Sequence, residues 1–390
     1  MKRILLLGVL LLVLFLLPSS VALAEGESSS FSDTEKELEE LVDKNLDSLD
    51  LSALEQFTAS LGLEGGLKPW LESVIQGSVP LSPRTLLSGA WQALWSGLTG
   101  ALPLLLMVVA VAVLYNLLFG LTDGFLSRQT HDVVYFVCYG AVLLVVVGLV
   151  VSVVDSVRTL TTQLTTLMNG LTPPLLTLMA AVGGHVTSSV FQPQLALIST
   201  LVANLVTHIV IPLFLASVVF SVVGNLTQNV RLDRLQSATR YIISSLLALI
   251  FGLYVTYLSI AGVAGGMADT LSLRAARYVI GSYVPIVGGY ISQGFDLVTA
   301  SVLLIKNALG IGGVLAVLAV VLSPLLKLMA LTLGLKLVAG IIEPVGDKRM
   351  ASFVGGVGEC MRSMVGAVAG VGFVFMTAML LAILSCSAVL

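Results

Sequence analysis

LTPPLLTLMAAVGGHVTSSVFQPQ, residues 171–194, governs how the rest of the chain is threaded. Pro173-Pro174 opens an apolar run that ends at Val182 and reaches only ~12 Å as a helix, short of a ~30 Å hydrocarbon layer. Gly183-Gly184 then allows a sharp turn, and polar residues follow. The spacing predicts a segment that enters an apolar layer and turns back, hinged at Pro173, Pro174, Gly183 and Gly184.

An apolar layer is what the composition requires. Of the 390 residues, 57% are hydrophobic and 11% charged, and the mean hydropathy is +1.04. That leaves too few polar side chains to cover a soluble globule of this size. Uncharged runs at about 101–122, 133–154, 196–223, 241–263 and 364–388 are each long enough to cross with every backbone group paired in a helix. The region 308–342, broken by Ser323-Pro324, Lys327 and Lys336, is either two spans or one span with an amphipathic or re-entrant piece. The expected fold is all-α: a polytopic helical membrane protein of six to eight spans, two re-entrant or broken helical segments and a short N-terminal extracytoplasmic region.

The second broken segment is YVIGSYVPIVGGYISQG, residues 278–294, with Pro285 and then Gly288-Gly289. The order span, polar loop, broken segment, span thus occurs at 133–223 and again at 241–322, the pattern of a parallel internal repeat. Paired interrupted segments point to a pathway, because irregular backbone at membrane depth survives only against protein or beside water. Two unrelated structural turns in a chain with 37 glycines give the same pattern. Around the second segment, Asp269, Arg274, Arg277, Asp296 and Lys306 are candidate boundary or partner contacts. Arg274 and Arg277 share one helical face and can meet lipid phosphate, a partner's acids, or Asp269 or Asp296. Lys306 is expected to snorkel to the surface.

Charge is distributed unevenly. Eleven of the 22 acids lie between Glu25 and Glu55, against only Lys36 and Lys44, so that part is a separate water-facing unit. Within it Leu38, Leu41, Val42, Leu46 and Leu49 recur at helical steps, and Ser32 with Glu35 can form a capping box. A short helix and a solvated tether both fit. Ahead of it, MKR, an apolar run and small residues at Ala22 and Ala24 read as a secretory signal (1–24) cut after Ala24, or else as an uncleaved anchor. Residues 25–85 then lie outside the cytoplasm. An amphipathic piece at 86–100 carries Trp91 and Trp95 one turn apart, suited to a water–lipid boundary, and the membrane domain is 101–390. If 171–194 does not cross, inside segments hold Arg128, Arg231, Arg234, Arg240, Lys327, Lys336, Lys348, Arg349 and Arg362. Outside loops hold Arg158, Arg274, Arg277 and Lys306, which obeys the positive-inside rule.

Catalytic chemistry is not evident. HExxH, a Gly-rich loop ending in GK[ST], and GxSxG are absent, and His131, His185 and His208 lack ligand-spaced neighbours. An enzyme, a metal, a cofactor or a nucleic-acid partner is therefore not expected. Cys138, Cys360 and Cys386 form no disulfide framework. Asn204 and His208 share a helical face and are candidate intramembrane polar contacts, more simply as hydrogen bonds to a neighbouring helix than as a proton relay. Gly366 and Gly370 form a GxxxG that suits close helix packing.

PPLLTLMAAVGGHVTSSVFQP (173–193), ADTLSLRAARYVIGSYVPIVGGY (268–290) and SVLLIKNALGIGG (301–313), with the leader and acidic region, resemble the stage III sporulation protein AE family of endospore-forming bacteria. The likeness runs from about residue 90 to the C-terminus. It implies a multi-pass protein of the mother-cell-derived membrane around the forespore, in a channel or secretion-like complex that joins the two cells. It also implies partners: other stage III sporulation A-type membrane proteins, including ring-forming subunits and a cytoplasmic ATPase, and a forespore-membrane protein. A core channel subunit, a stand-alone secondary transporter and a non-conducting scaffold all remain compatible with the residues.

Overall fold

The computed structural model describes residues 41, 42, 44–46, 55, 83–122, 128–226, 232–283 and 288–384. Its principal elements are all helical: α1 (Pro83–Thr122), α2 (Arg128–Ala181), α3 (His185–Leu205), a π-helical turn (Val206–Val210), α4 (Ile211–Leu226), α5 (Asp233–Tyr283), α6 (Gly288–Val345) and α7 (Lys348–Leu384). With α3, the π turn and α4 taken as one rod, six helices are long and apolar enough to cross a membrane. The chain is therefore an all-α polytopic membrane protein, and each uncharged run recognised in the sequence falls inside one of these rods.

The rods are longer than a bilayer is thick. α2 has 54 residues, roughly 80 Å of helix, and α6 has 58. Pro173 and Pro174 do not open a separate short dip; they lie inside α2, which runs on to Ala181. An interior proline loses one backbone hydrogen bond and crowds the preceding turn, at a cost of about 3 kcal/mol. Here Leu171, Leu175, Leu178 and Met179 are buried on the opposite face and hold the helix through it. The turn-back itself is at Gly183-Gly184. Gly183 adopts φ 88°, and its N–H donates to Ala180 O (2.9 Å) while that of Gly184 donates to Met179 O (2.9 Å). This pair of bonds is a Schellman motif, which needs a left-handed residue where Gly183 sits. α3 then returns alongside α2.

The exposed faces of this hairpin are polar. Asp155, Arg158, Thr159, Thr162, Thr166, Asn169 and Thr177 on α2, and Ser189, Gln192 and Thr200 on α3, point outward, whereas Leu160, Leu164, Leu167 and Phe191 are buried. That pattern is an amphipathic helix pair facing water, not a segment wrapped in acyl chains. Residues 133–223 and 241–322 are thus both built on long helical hairpins, the second running up α5 and back along α6.

Ser323-Pro324 also fails to break its helix: α6 is continuous from Gly288 to Val345. The segment 86–100 likewise belongs to one 40-residue helix with the first span, through Pro103. The π turn has a local cause. Pro212 has no N–H to give to His208 O, so the register shifts and Ile211 N–H donates to Val206 O. Asp347 starts α7 by accepting from Arg349 N–H at 2.7 Å, an N-cap bond. α7 packs against α4, α5 and α6 and carries most of the central core, including Phe353, Val357, Met361, Met364 and Phe375. Of the acidic region, Val42 and Leu46 are buried against the bundle, and Asn45 Nδ2 donates to Ser301 Oγ at 3.2 Å. The segment around them is a docked helical turn. Ser32, Glu35, Ala22 and Ala24 lie outside the described residues.

Candidate functional site

Exposed apolar side chains mark a band around the bundle: Leu102 to Leu118 on α1, Val133 to Val151 on α2 and Met329 to Ile341 on α6. Cross-contacts fix the heights of these helices relative to one another. At one edge Tyr115 OH donates to Asp347 Oδ2 (3.5 Å), and the Arg349 guanidinium sits 3.7 Å from the centre of the Tyr135 ring. Tyr135 and Tyr139 donate to Asn225 O and Val222 O at 2.8 and 2.7 Å. At the other edge Asp155, Gln163, Ser323 and Lys327 line one cleft between α2 and α6, and Lys327 backs onto Gly97. The exposed Trp91 and Trp95, stacked with ring centres 6.2 Å apart, lie just beyond. From Tyr135 to Asp155, and from Lys327 to Asp347, is ~30 Å of helix, the thickness of a hydrocarbon core edged by aromatic and charged residues.

Four charged side chains sit near the middle of that band. Lys336 Nζ lies 2.6 Å from Glu359 Oε1. Arg362 Nη1 and Arg240 Nη1 approach Glu359 Oε2 at 3.3 and 3.5 Å. Lys336 is ~14 Å along α6 from Lys327 and ~16 Å from Asp347. Apolar Leu333 and Leu337 are exposed beside it, as are Leu235, Tyr241 and Ile242 beside Arg240. Helix α7 presents Glu359 and Arg362 three residues apart on one face, α6 supplies Lys336 and α5 supplies Arg240. The cluster is open: these side chains retain 25–54% of their surface, with Arg362 the most exposed. It lies at one end of a groove of about 450 Å³ floored by Ala339, Gly340, Ala351, Ser352 and Gly355, with Glu343 and Lys348 toward the Asp347 edge.

Directly inward of the cluster, Cys360 Sγ is 3.1 Å from Ser217 Oγ and accepts from Gln236 Nε2 at 3.3 Å. Gln236 also donates to Gly356 O at 3.1 Å. These bonds tie α4 and α5 to α7 and fix the face from which Glu359 projects.

The sequence did not single out this cluster. Arg240, Lys336 and Arg362 were expected in loops on one side, and Lys327 with them; instead the first three lie on helices within the band, and Lys327 lies at the edge remote from Asp347. The available signal was a Glu and an Arg three apart inside a helix otherwise made of small and apolar residues.

The expected site residues do not converge on one place. Pro173, Pro174, Gly183 and Gly184 lie in the hairpin, beyond the Lys327 edge. Gly288 and Gly289 begin α6, Asp269, Arg274 and Arg277 lie on the distal part of α5, and Asp296 lies on α6; Pro285 falls outside the described residues. Lys306 does not snorkel. It is 0% exposed, and its Nζ donates to Ile383 O at 2.9 Å, in the last turn of α7, where a cation meets the negative end of the helix dipole. Asn204 and His208 face outward from the bundle at the π turn. Gly370 seats a close contact, since a Cβ there would meet the Phe251 ring of α5 at 2.5 Å, whereas Gly366 has open space around it. Among the described residues, no group of His, Cys, Asp and Glu is placed to hold a metal ion.

A family model described as stage III sporulation protein AE matches residues 66–386. The stage III sporulation protein AE of Bacillus subtilis (strain 168) is 24% identical over 334 residues, covering 84% of each chain. No solved structure matches.

Proposed function

The chain belongs to the stage III sporulation protein AE family and so serves sporulation, and we propose that within that process it is the membrane-embedded core subunit of a channel or secretion-like complex linking mother cell and forespore. The observation that carries this reading is the Lys336–Glu359–Arg240–Arg362 cluster, held at mid-depth and open on the protein's outer face. Ionisable side chains at that depth cost ~2.5–3.5 kcal/mol each against lipid and are kept where they meet protein or water. A protomer that displays them is built to be completed by other subunits. Its companions in this proposal are other stage III A-type proteins, including ring-forming subunits and a cytoplasmic ATPase, and a forespore-membrane partner. The hairpin ending at Gly183 and the docked acidic region face the space between the two membranes.

A stand-alone secondary transporter is the second reading, favoured by the α2–α6 cleft of about 740 Å³ that holds Asp155 and Lys327. Affinity capture of the tagged chain from sporulating cells, read by mass spectrometry, separates the two. Co-isolation with the ring-forming subunits and the ATPase is expected. Gradient-driven uptake by the purified chain alone in liposomes, with no companion co-isolated from cells, would overturn the subunit reading.

A further inference from the structure

We propose that the groove between α6 and α7 is the seat of one transmembrane helix of another protein, a helix that carries an acidic residue near its middle. The inference rests on the subunit reading above and names the chemistry of one contact.

The groove has the shape such a helix needs. Lys336, Gly340 and Glu343 recur at helical steps along α6, and Lys348, Ser352, Gly355 and Glu359 do so along α7, so the two stripes flank a trough from mid-depth to the Asp347 edge. Small side chains at Ala339, Gly340, Ala351, Ser352 and Gly355 let a third backbone come close, which is how helices associate when lipid supplies no hydrophobic drive.

Charge selects the occupant. Glu359 is one carboxylate held by three cations, which leaves two positive charges uncompensated within the apolar band. Lys336, at 2.6 Å, takes up one oxygen of Glu359, and Arg240 and Arg362 share the other at longer range. An incoming carboxylate between those two arginines would complete a four-way network of charge-assisted bonds. A second copy of this chain is the wrong partner, because its groove brings the same surplus of cations and, among the described residues, no acid at this depth besides the engaged Glu359. An anionic lipid is also disfavoured, since its phosphate lies at the band edge, ~15 Å of helix away.

A photocrosslinking residue placed at Ser352 in the full-length chain, in sporulating cells, tests this. The expected product is an adduct with a membrane protein that has Asp or Glu near the centre of a span. Arg362→Glu should cut that adduct roughly tenfold or more, as expected for losing a paired charge in a water-poor site, and changing the partner's acid to Lys should restore it. Arg362→Lys, which keeps the charge, should retain most of it. The same probe at lipid-facing Leu144 on α2 should give no protein adduct. An adduct only with phospholipid, an adduct only with a second copy, or no adduct from a normally accumulating chain would each overturn the proposal. Absence of the Ser352 adduct alongside normal co-isolation of the companions would leave the subunit reading standing and remove only this seat.

Discussion

Two lysines on α6 show how a buried cation is accommodated in two ways. Lys306 is fully enclosed and spends its charge on the C-terminal turn of α7, so its role is to lock two helices. Lys336 is partly open and spends its charge on Glu359. The same contrast runs through the glycines of α7. A methyl group at Gly370 would collide with Phe251, while one at Gly366 would touch nothing within 4 Å. Gly370→Ala is expected to cost about 1–3 kcal/mol by forced repacking, seen as a lower Tm of the detergent-solubilised protein. Gly366→Ala should leave Tm unchanged or raise it slightly, because alanine favours helix. Adding Phe251→Leu should recover most of the Gly370→Ala loss. Equal effects of the two alanines would show that the α5–α7 contact is not where the packing is tight.

The α2–α3 hairpin shows what was legible in the sequence and what was not. Gly183-Gly184 marked the turn correctly, since only a residue free of Cβ takes φ 88° without strain. Pro173-Pro174 misled, because the residue before a proline disfavours helix locally, and that preference is outweighed by the buried row Leu171, Leu175, Leu178 and Met179. Tertiary burial of that kind is invisible in a short window. The same cause hid the continuity of α6 through Pro324 and the height of Lys336, since depth depends on which helices stand beside one another. Gly183→Ala forces a left-handed residue and is expected to cost about 1–2 kcal/mol. Gly184, with φ −79°, has an ordinary helical-side backbone, so any cost of Gly184→Ala should come from its buried position rather than from strain. Pro173→Ala should stabilise α2 by restoring its missing hydrogen bond, provided the bend is not needed for packing. The three variants compared by thermal unfolding give the order Pro173→Ala above the parent and Gly183→Ala below it; a stable Gly183→Ala would mean that the turn is held by its surroundings and not by its own backbone.

Sidedness of the whole bundle follows from the helix heights more than from the charges. The Asp347 edge has Arg234, Lys348 and Arg349 beside it, with α2 starting at Arg128, while the opposite edge or its continuation has Arg84, Arg158, Lys327, Arg274 and Arg277. With Arg240, Lys336 and Arg362 inside the band, the positive-inside bias expected from nine bases against four disappears, and the charge count no longer orients the protein. Parity takes its place: six crossings put the start of α1, the Gly183 turn and the end of α7 on one side. An N-terminal leader that exports residues 25–85 then places that side outside the mother-cell cytoplasm. Single cysteines at Thr166, Asn169 and Ser189, which face outward on the hairpin, should therefore react with a membrane-impermeant maleimide added from outside to protoplasts of cells expressing the chain, in a background lacking native cysteines. Cysteines at Arg234 and Ser352 should react only after permeabilisation, and a cysteine at buried Leu164 should stay unreactive under both conditions. Labelling of Arg234 from outside with protection of Thr166 would invert the molecule. It would also put the groove at Lys336–Arg362 on the forespore-facing half of the membrane, so that its partner would have to be sought among proteins of the intermembrane space and not among those anchored from the mother cell.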